Sequence, residues 1–99
     1  RGKNMLDKAT LNLIKKNHFR YLNPKECQVF IFGSRTTDEA ISDIDIGIIA
    51  KKEINGKTLA EIESAFEESD IPYKIEVVDF SLVSERFKKI ALQKIISLN

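Results

Sequence analysis

Apolar residues recur along this chain at two different periods, and the changes of period mark out its elements. Over residues 5 to about 20, Leu6, Ala9, Leu13 and Ile14 share one face at helical spacing. Asn23-Pro24 then interrupts, because proline disfavours helical backbone at the residue before it. Two short apolar runs follow, CQVFIF at 27–32 and IDIGIIA at 44–50, and each predicts a strand. Asn55-Gly56 breaks the chain again, and Thr58-Leu59-Ala60-Glu61 has capping-box spacing. Leu59, Ile62 and Phe66 form the stripe of the short helix predicted there. Asp70-Ile71-Pro72 ends that region and leads into a third strand, YKIEVVDF at 73–80. Val83, Phe87, Ile90, Ala91, Ile95 and Leu98 return to helical spacing, predicting a last helix over about 82–97 that packs its stripe on the sheet.

The order α-β-β-α-β-α predicts an α+β fold: a small mixed sheet of three or four strands with helices packed on one face. The short link between the first two strands favours an antiparallel pair, while the helix-linked third strand can run parallel. The 99 residues are expected to form one domain, with residues 1–4 given no structural role. Sixteen basic against fifteen acidic residues leave a net charge of only +1, which argues against a dedicated nucleic-acid binder. The basic runs at Lys15–Arg20 and Lys88-Lys89 read as solvated helix faces. Cys27, the single cysteine, excludes an intramolecular disulfide and reads as a small buried core residue, and His18 as an exposed or capping residue near a helix end. No run is long and apolar enough for a membrane span, so a cytoplasmic location is expected.

Within this frame the second strand carries an anomaly. Asp43 and Asp45 alternate along it, so both project to one face, separated by about 6.5–7 Å. Aspartate is depleted in strands, and two like charges on one face raise each other's pKa unless something positive lies between them. A divalent cation resolves both difficulties. Gly33-Ser34, just after the first strand, offers backbone N–H groups to phosphate. Glu76 lies in the otherwise apolar third strand, and if that strand neighbours the second it completes a three-carboxylate cluster suited to magnesium-type ions. Asp79 competes for this place but has the opposite strand parity.

These motifs together resemble the DNA polymerase beta-like nucleotidyltransferase superfamily, and most closely its minimal nucleotidyltransferases (MNT), small proteins often encoded beside a HEPN partner. Phe32-Gly33-Ser34-Arg35 and Ser42-Asp43-Ile44-Asp45-Ile46 match the two core motifs, and Tyr73 to Asp79 resembles the strand with the third carboxylate. The resemblance implies that Gly33 and Ser34 hold the β- and γ-phosphates of a nucleoside triphosphate, most plausibly ATP. It implies that Asp43 and Asp45 bind two Mg²⁺ ions, with Mn²⁺ as an alternative, and that Glu76 binds the catalytic one and helps deprotonate the acceptor hydroxyl. Arg35 reads equally as a phosphate contact or a surface salt bridge, and Ser42 as a cap that orients the strand entry.

The activity implied is transfer of AMP to a hydroxyl, with a HEPN toxin as the protein partner and a tyrosine on it as the acceptor. The sequence departs from the family pattern after Arg35. Thr36-Thr37-Asp38-Glu39 replaces the usual small, basic and glycine residues, and the segment is about two residues short. Glu76 also stands where the family often has aspartate. These departures define a second reading, a non-catalytic antitoxin that neutralises its partner by complex formation. The sequence sets no oligomeric state, and a homodimer is compatible with it.

Overall fold

The computed structural model describes residues 8–32, 43–71 and 73–99. In chain order these form helix α1 (Lys8–Tyr21), strands β1 (Cys27–Phe32) and β2 (Asp43–Ala50), helix α2 (Gly56–Glu67) and strand β3 (Lys74–Asp79). A single 3-10 turn (Phe80–Leu82), helix α3 (Glu85–Ala91) and strand β4 (Ile95–Ser97) complete the set. The four strands make one mixed sheet in the order β3-β2-β1-β4. β1 runs antiparallel to both β2 and β4, while β2 and β3 are parallel, with α2 as the crossover that a parallel pair requires. β1 coincides with the predicted strand, and β2 starts one residue before the prediction, at Asp43. Leu6, assigned to the first helix, lies outside the described residues.

Side-chain alternation divides the strands between two cores. Val29 and Ile31 of β1 and Ile44, Ile46 and Ile48 of β2 face α1 and α2, where they meet Ile14, Ile62 and Phe66. Phe30 and Phe32 point the other way and join Phe80 in a smaller aromatic core, against which Val83, Ala91 and Leu92 pack. The two long helices share one face, as expected, but the seven-residue α3 corrects the expectation of helices on one face only: it lies on the other, where the aromatic rings need cover. Phe80 stands edge-on to Phe30 and Phe32 at centroid distances of 5.0 and 5.2 Å, a favoured aromatic arrangement. Gly47 lies under these rings, and a Cβ there would come within 2.6 Å of both Phe30 and Phe80. Only glycine lets the Phe80 turn close over the sheet.

Three local predictions need correction. The N-cap of α2 is Asn55, whose side chain accepts from the Lys57 backbone N–H at 2.7 Å, so Thr58 falls inside the first turn and its capping box is unused. The last helix ends at Ala91 instead of continuing to 97, and the chain then extends as β4 along the free edge of β1. There Ile95 joins the aromatic core while Ile96 and Leu98 join the aliphatic one, a strand's alternation that helical spacing had disguised. Pairing satisfies backbone groups that a helix would have left exposed along β1. Asn99 then ties the chain end to β1, its amide donating to Pro24 and Cys27 carbonyls and its oxygen accepting from the Val29 N–H.

The third correction is His18, which is wholly buried. It follows Ile14 by one helical turn and stacks its ring 5.3 Å from that of Phe66 on α2. Both ring nitrogens are buried without a hydrogen-bond partner among the described residues, and burial lowers the imidazole pKa to about 4. His18 is therefore a neutral core residue. Cys27 is half-buried, donates weakly to the Asn23 carbonyl at 3.4 Å, and has its thiol pKa raised by burial and by neighbouring Glu26.

Candidate active site

The site is a consequence of β2's alternation. Because Ile44, Ile46 and Ile48 are fully buried against the helices, Asp43 and Asp45 must project from the opposite face. The parallel register of β3 then places Glu76 beside Asp45, Lys74 beside Asp43 and Val78 beside Gly47. On the other side Phe32 pairs with Asp45, and Ile95 with Phe32. One row, Ile95–Phe32–Asp45–Glu76, thus crosses the sheet and ends in two carboxylates on strands about 4.8 Å apart. The predicted neighbourhood of Asp43, Asp45 and Glu76 is present in the backbone.

Their charge environment contains a residue that sequence reading did not single out. The Lys74 ammonium lies 3.8 Å from a Glu76 carboxylate oxygen, and both side chains are more than half exposed, at 72% and 55%. An exposed pair of this kind is weak, on the order of 0–1 kcal/mol, and leaves Glu76 free to exchange it for a stronger cation. Among the described residues, no group of three or more His, Cys, Asp or Glu side chains is already gathered around a metal position. The donor chemistry nonetheless fits a magnesium-type ion: hard carboxylate oxygens on one face, with solvent access for water and phosphate. Asp79 takes no part. It is buried with the opposite parity, and its Oδ1 accepts from the Ser81 N–H at 3.0 Å and the Ser81 hydroxyl at 2.8 Å, capping the 3-10 turn.

A cavity of about 480 Å³ opens beside this row. Asp45 and Glu76 form one wall, with Phe32 and Val78 next to them. The opposite wall comes from α3 and the bend after it, through Phe87, Ile90, Gln93 and Lys94. Sequence reading assigned Phe87 and Ile90 to core packing, yet they are 42% and 60% exposed. α3 is short: Ser84 caps it by accepting from the Phe87 N–H, and no residue of its seven is buried. A somewhat larger groove, about 510 Å³, lies between α1 and α2 and is lined by none of the three carboxylates. Gly33, Ser34, Arg35 and Ser42, and the Thr36–Glu39 segment, lie outside the described residues. No helix among the described residues is long and apolar enough to cross a membrane.

Comparison with known proteins places this geometry in a family. The profile of the polymerase beta nucleotidyltransferase family matches residues 14–98. The chain is 34% identical over 64 residues to the probable protein adenylyltransferase MntA of Haemophilus influenzae, covering 63% of this chain and 56% of that protein. It therefore spans little more than half the length of this curated relative. Among solved structures, a protein from Shewanella oneidensis superposes with a TM-score of 0.73 at 17% identity, over 95% of this chain and 72% of that one. The toxin–antitoxin pair MntA–HepT matches with a TM-score of 0.69 at 20% identity, over 94% and 72%. The tri-AMPylated Shewanella oneidensis HEPN toxin in complex with MNT antitoxin matches with 0.63 at 20%, over 90% and 71%. At these identities the structures establish the shared fold, and the profile, which spans most of the sequence, establishes descent. The chain belongs to the polymerase beta nucleotidyltransferase family.

Proposed function

We propose that residues 1–99 form a minimal nucleotidyltransferase domain that moves AMP from ATP to a hydroxyl on a HEPN-type toxin, acting as its antitoxin in the cytoplasm. The observation that carries this reading is the register of Asp45 with Glu76, with Asp43 two residues earlier on the same face and an open cavity alongside. The related MntA named as a probable protein adenylyltransferase, and the AMPylated HEPN toxin held by an MNT antitoxin, support the choice of group and acceptor.

In this reading Asp43, Asp45 and Glu76 hold divalent cations, Mg²⁺ in the first instance and two in number. Such ions, when bound, offset phosphate charge and orient the reacting oxygens. Glu76 lets go of Lys74, takes the proton of the acceptor hydroxyl and returns it to solvent. The acceptor oxygen bonds to the α-phosphorus as the bond to the β-phosphate oxygen breaks, and pyrophosphate leaves. Gly33 and Ser34 present N–H groups to the β- and γ-phosphates, Arg35 adds positive charge beside them, and Ser42 caps the entry to β2.

A non-catalytic antitoxin is the second reading. It is favoured by the acidic Thr36-Thr37-Asp38-Glu39 segment between the two motifs, since negative charge near a triphosphate is unfavourable. The two readings separate when the protein is incubated with α-labelled ATP, Mg²⁺ and its HEPN partner and the partner's intact mass is followed. Increments of one AMP, abolished by Asp43→Asn or Asp45→Asn, are expected. A stable, neutralised complex with no added mass would leave binding alone as the function.

A further inference from the structure

The carboxylate row accounts for only one wall of the 480 Å³ cavity. The facing wall combines features that phosphate and metal chemistry do not call for. Phe87 and Ile90 are large, apolar and substantially exposed, on a helix with no buried residue of its own. Phe87 sets its ring perpendicular to Phe32 at 6.0 Å and tilted against Phe80 at 5.8 Å. Beyond this apolar shelf the chain bends toward β4 and brings the Gln93 amide and the Lys94 ammonium to the same cavity. Its size falls within the roughly 300–1,000 Å³ common for small-molecule sites, and its lining has their usual form, an apolar wall with a few placed polar groups.

We infer that the α3 wall is the nucleobase seat: Phe87 and Ile90 cover the face of an adenine ring, and the Gln93 side-chain amide reads its edge. This deepens the proposed function and rests on it, because the base is placed by a triphosphate already held at Asp43 and Asp45. An apolar, ring-backed shelf suits a planar base, whose stacking on an aromatic side chain contributes sequence-tolerant affinity. A primary amide offers one donor and one acceptor, the complement of adenine N7 and N6–H₂, whereas guanine presents two acceptors there. Lys94 adds a positive charge to the lining of the same cavity, which suits a ligand that carries phosphates. The base is favoured over an acceptor side chain as occupant because the acceptor meets a shared surface only during complex formation, whereas this shelf is built within one chain from α3 and the sheet.

Calorimetric titration of the full chain, without any acceptor, tests the assignment. The probes are Mg²⁺-ATP, Mg²⁺-GTP and Mg²⁺-tripolyphosphate, which carries the phosphates without a base. Ile90→Ser and Gln93→Ala are the variants, both at exposed positions, which keeps the fold intact. Wild type is expected to bind ATP more tightly than GTP or tripolyphosphate. Each variant should weaken ATP binding by about tenfold while leaving tripolyphosphate within about twofold, and Gln93→Ala should narrow the preference over GTP. ATP binding indifferent to both substitutions would overturn the assignment and give the shelf to the acceptor. Equal loss of ATP and tripolyphosphate would also overturn it, as would a wild type that binds ATP no better than GTP or tripolyphosphate. Failure of wild type to bind any of the three probes would instead defeat the nucleotidyltransferase reading beneath it.

Discussion

On the helical face of the sheet, β2 presents Ile44, Ile46 and Ile48, each fully buried beneath α1 and α2. On the other face the same eight residues present Asp43, Asp45, Gly47 and Ile49, of which Gly47 is buried and Ile49 packs against the aromatic core. One strand thus has a continuous aliphatic side and a graded side, which passes from charged and accessible at Asp43 to packed under aromatic rings at Gly47. The lesson concerns placement. The buried isoleucines fix the strand's rotation, and that rotation leaves the aspartates no choice of face. The function proposed for the open face is positioned by packing on the closed one.

Substitutions that attack the two sides should therefore fail differently. Ile46→Ala removes a fully buried side chain from the aliphatic core, and an equilibrium denaturation is expected to show a loss of about 2–5 kcal/mol. Gly47→Ala, one residue along, adds an atom where Phe30 and Phe80 already stand, so the loss should be about 1–3 kcal/mol and arise from overpacking. The second variant should also displace Phe80 and, through its ring contacts, Phe87, so nucleotide affinity should fall with stability. A Gly47→Ala protein with wild-type stability would show that the Phe80 turn does not close as described.

A smaller effect belongs to the helical face. His18 is neutral when folded, with its pKa lowered to about 4 by burial, while in the unfolded chain it has its ordinary value near 6.5. Between these values the unfolded chain binds a proton that the folded one refuses, so stability is fully present above about pH 7 and falls as pH drops toward 4. Going from pH 7.5 to 6 should cost about 1 kcal/mol, and His18→Leu should flatten that slope. His18 is the only histidine in the chain, which makes the comparison clean. Equal slopes in the two proteins would place the imidazole in water.

How much of this was legible in the sequence depends on the range of the interaction. The strands β1 and β2 and the shared parity of Asp43, Asp45 and Glu76 are local properties, and reading them by period gave the right faces. The parallel pairing of β2 with β3 followed from the helix between them. β4 was hidden because Ile95 and Leu98 fit a helical stripe begun at Val83, and the pull of β1's free edge is a long-range effect. His18 was misread for a similar reason. Its neighbours Lys15, Lys16 and Arg20 are polar, but its position four residues after Ile14 puts it on the buried stripe. The α3 wall was invisible because an exposed Phe87 and a core Phe87 have the same spacing.

The proposed role of Asp45 is to hold nucleotide from the open face of β2. Thermal unfolding of wild type, Asp45→Asn and the exposed control Asp70→Asn, each with and without millimolar Mg²⁺-ATP, tests it most directly. The expected result is that all three fold alone, each with its own unfolding temperature as the baseline. Wild type and Asp70→Asn should then rise with the ligand while Asp45→Asn stays where it was. A full ligand-induced rise in Asp45→Asn would contradict the assignment of this face as the nucleotide site.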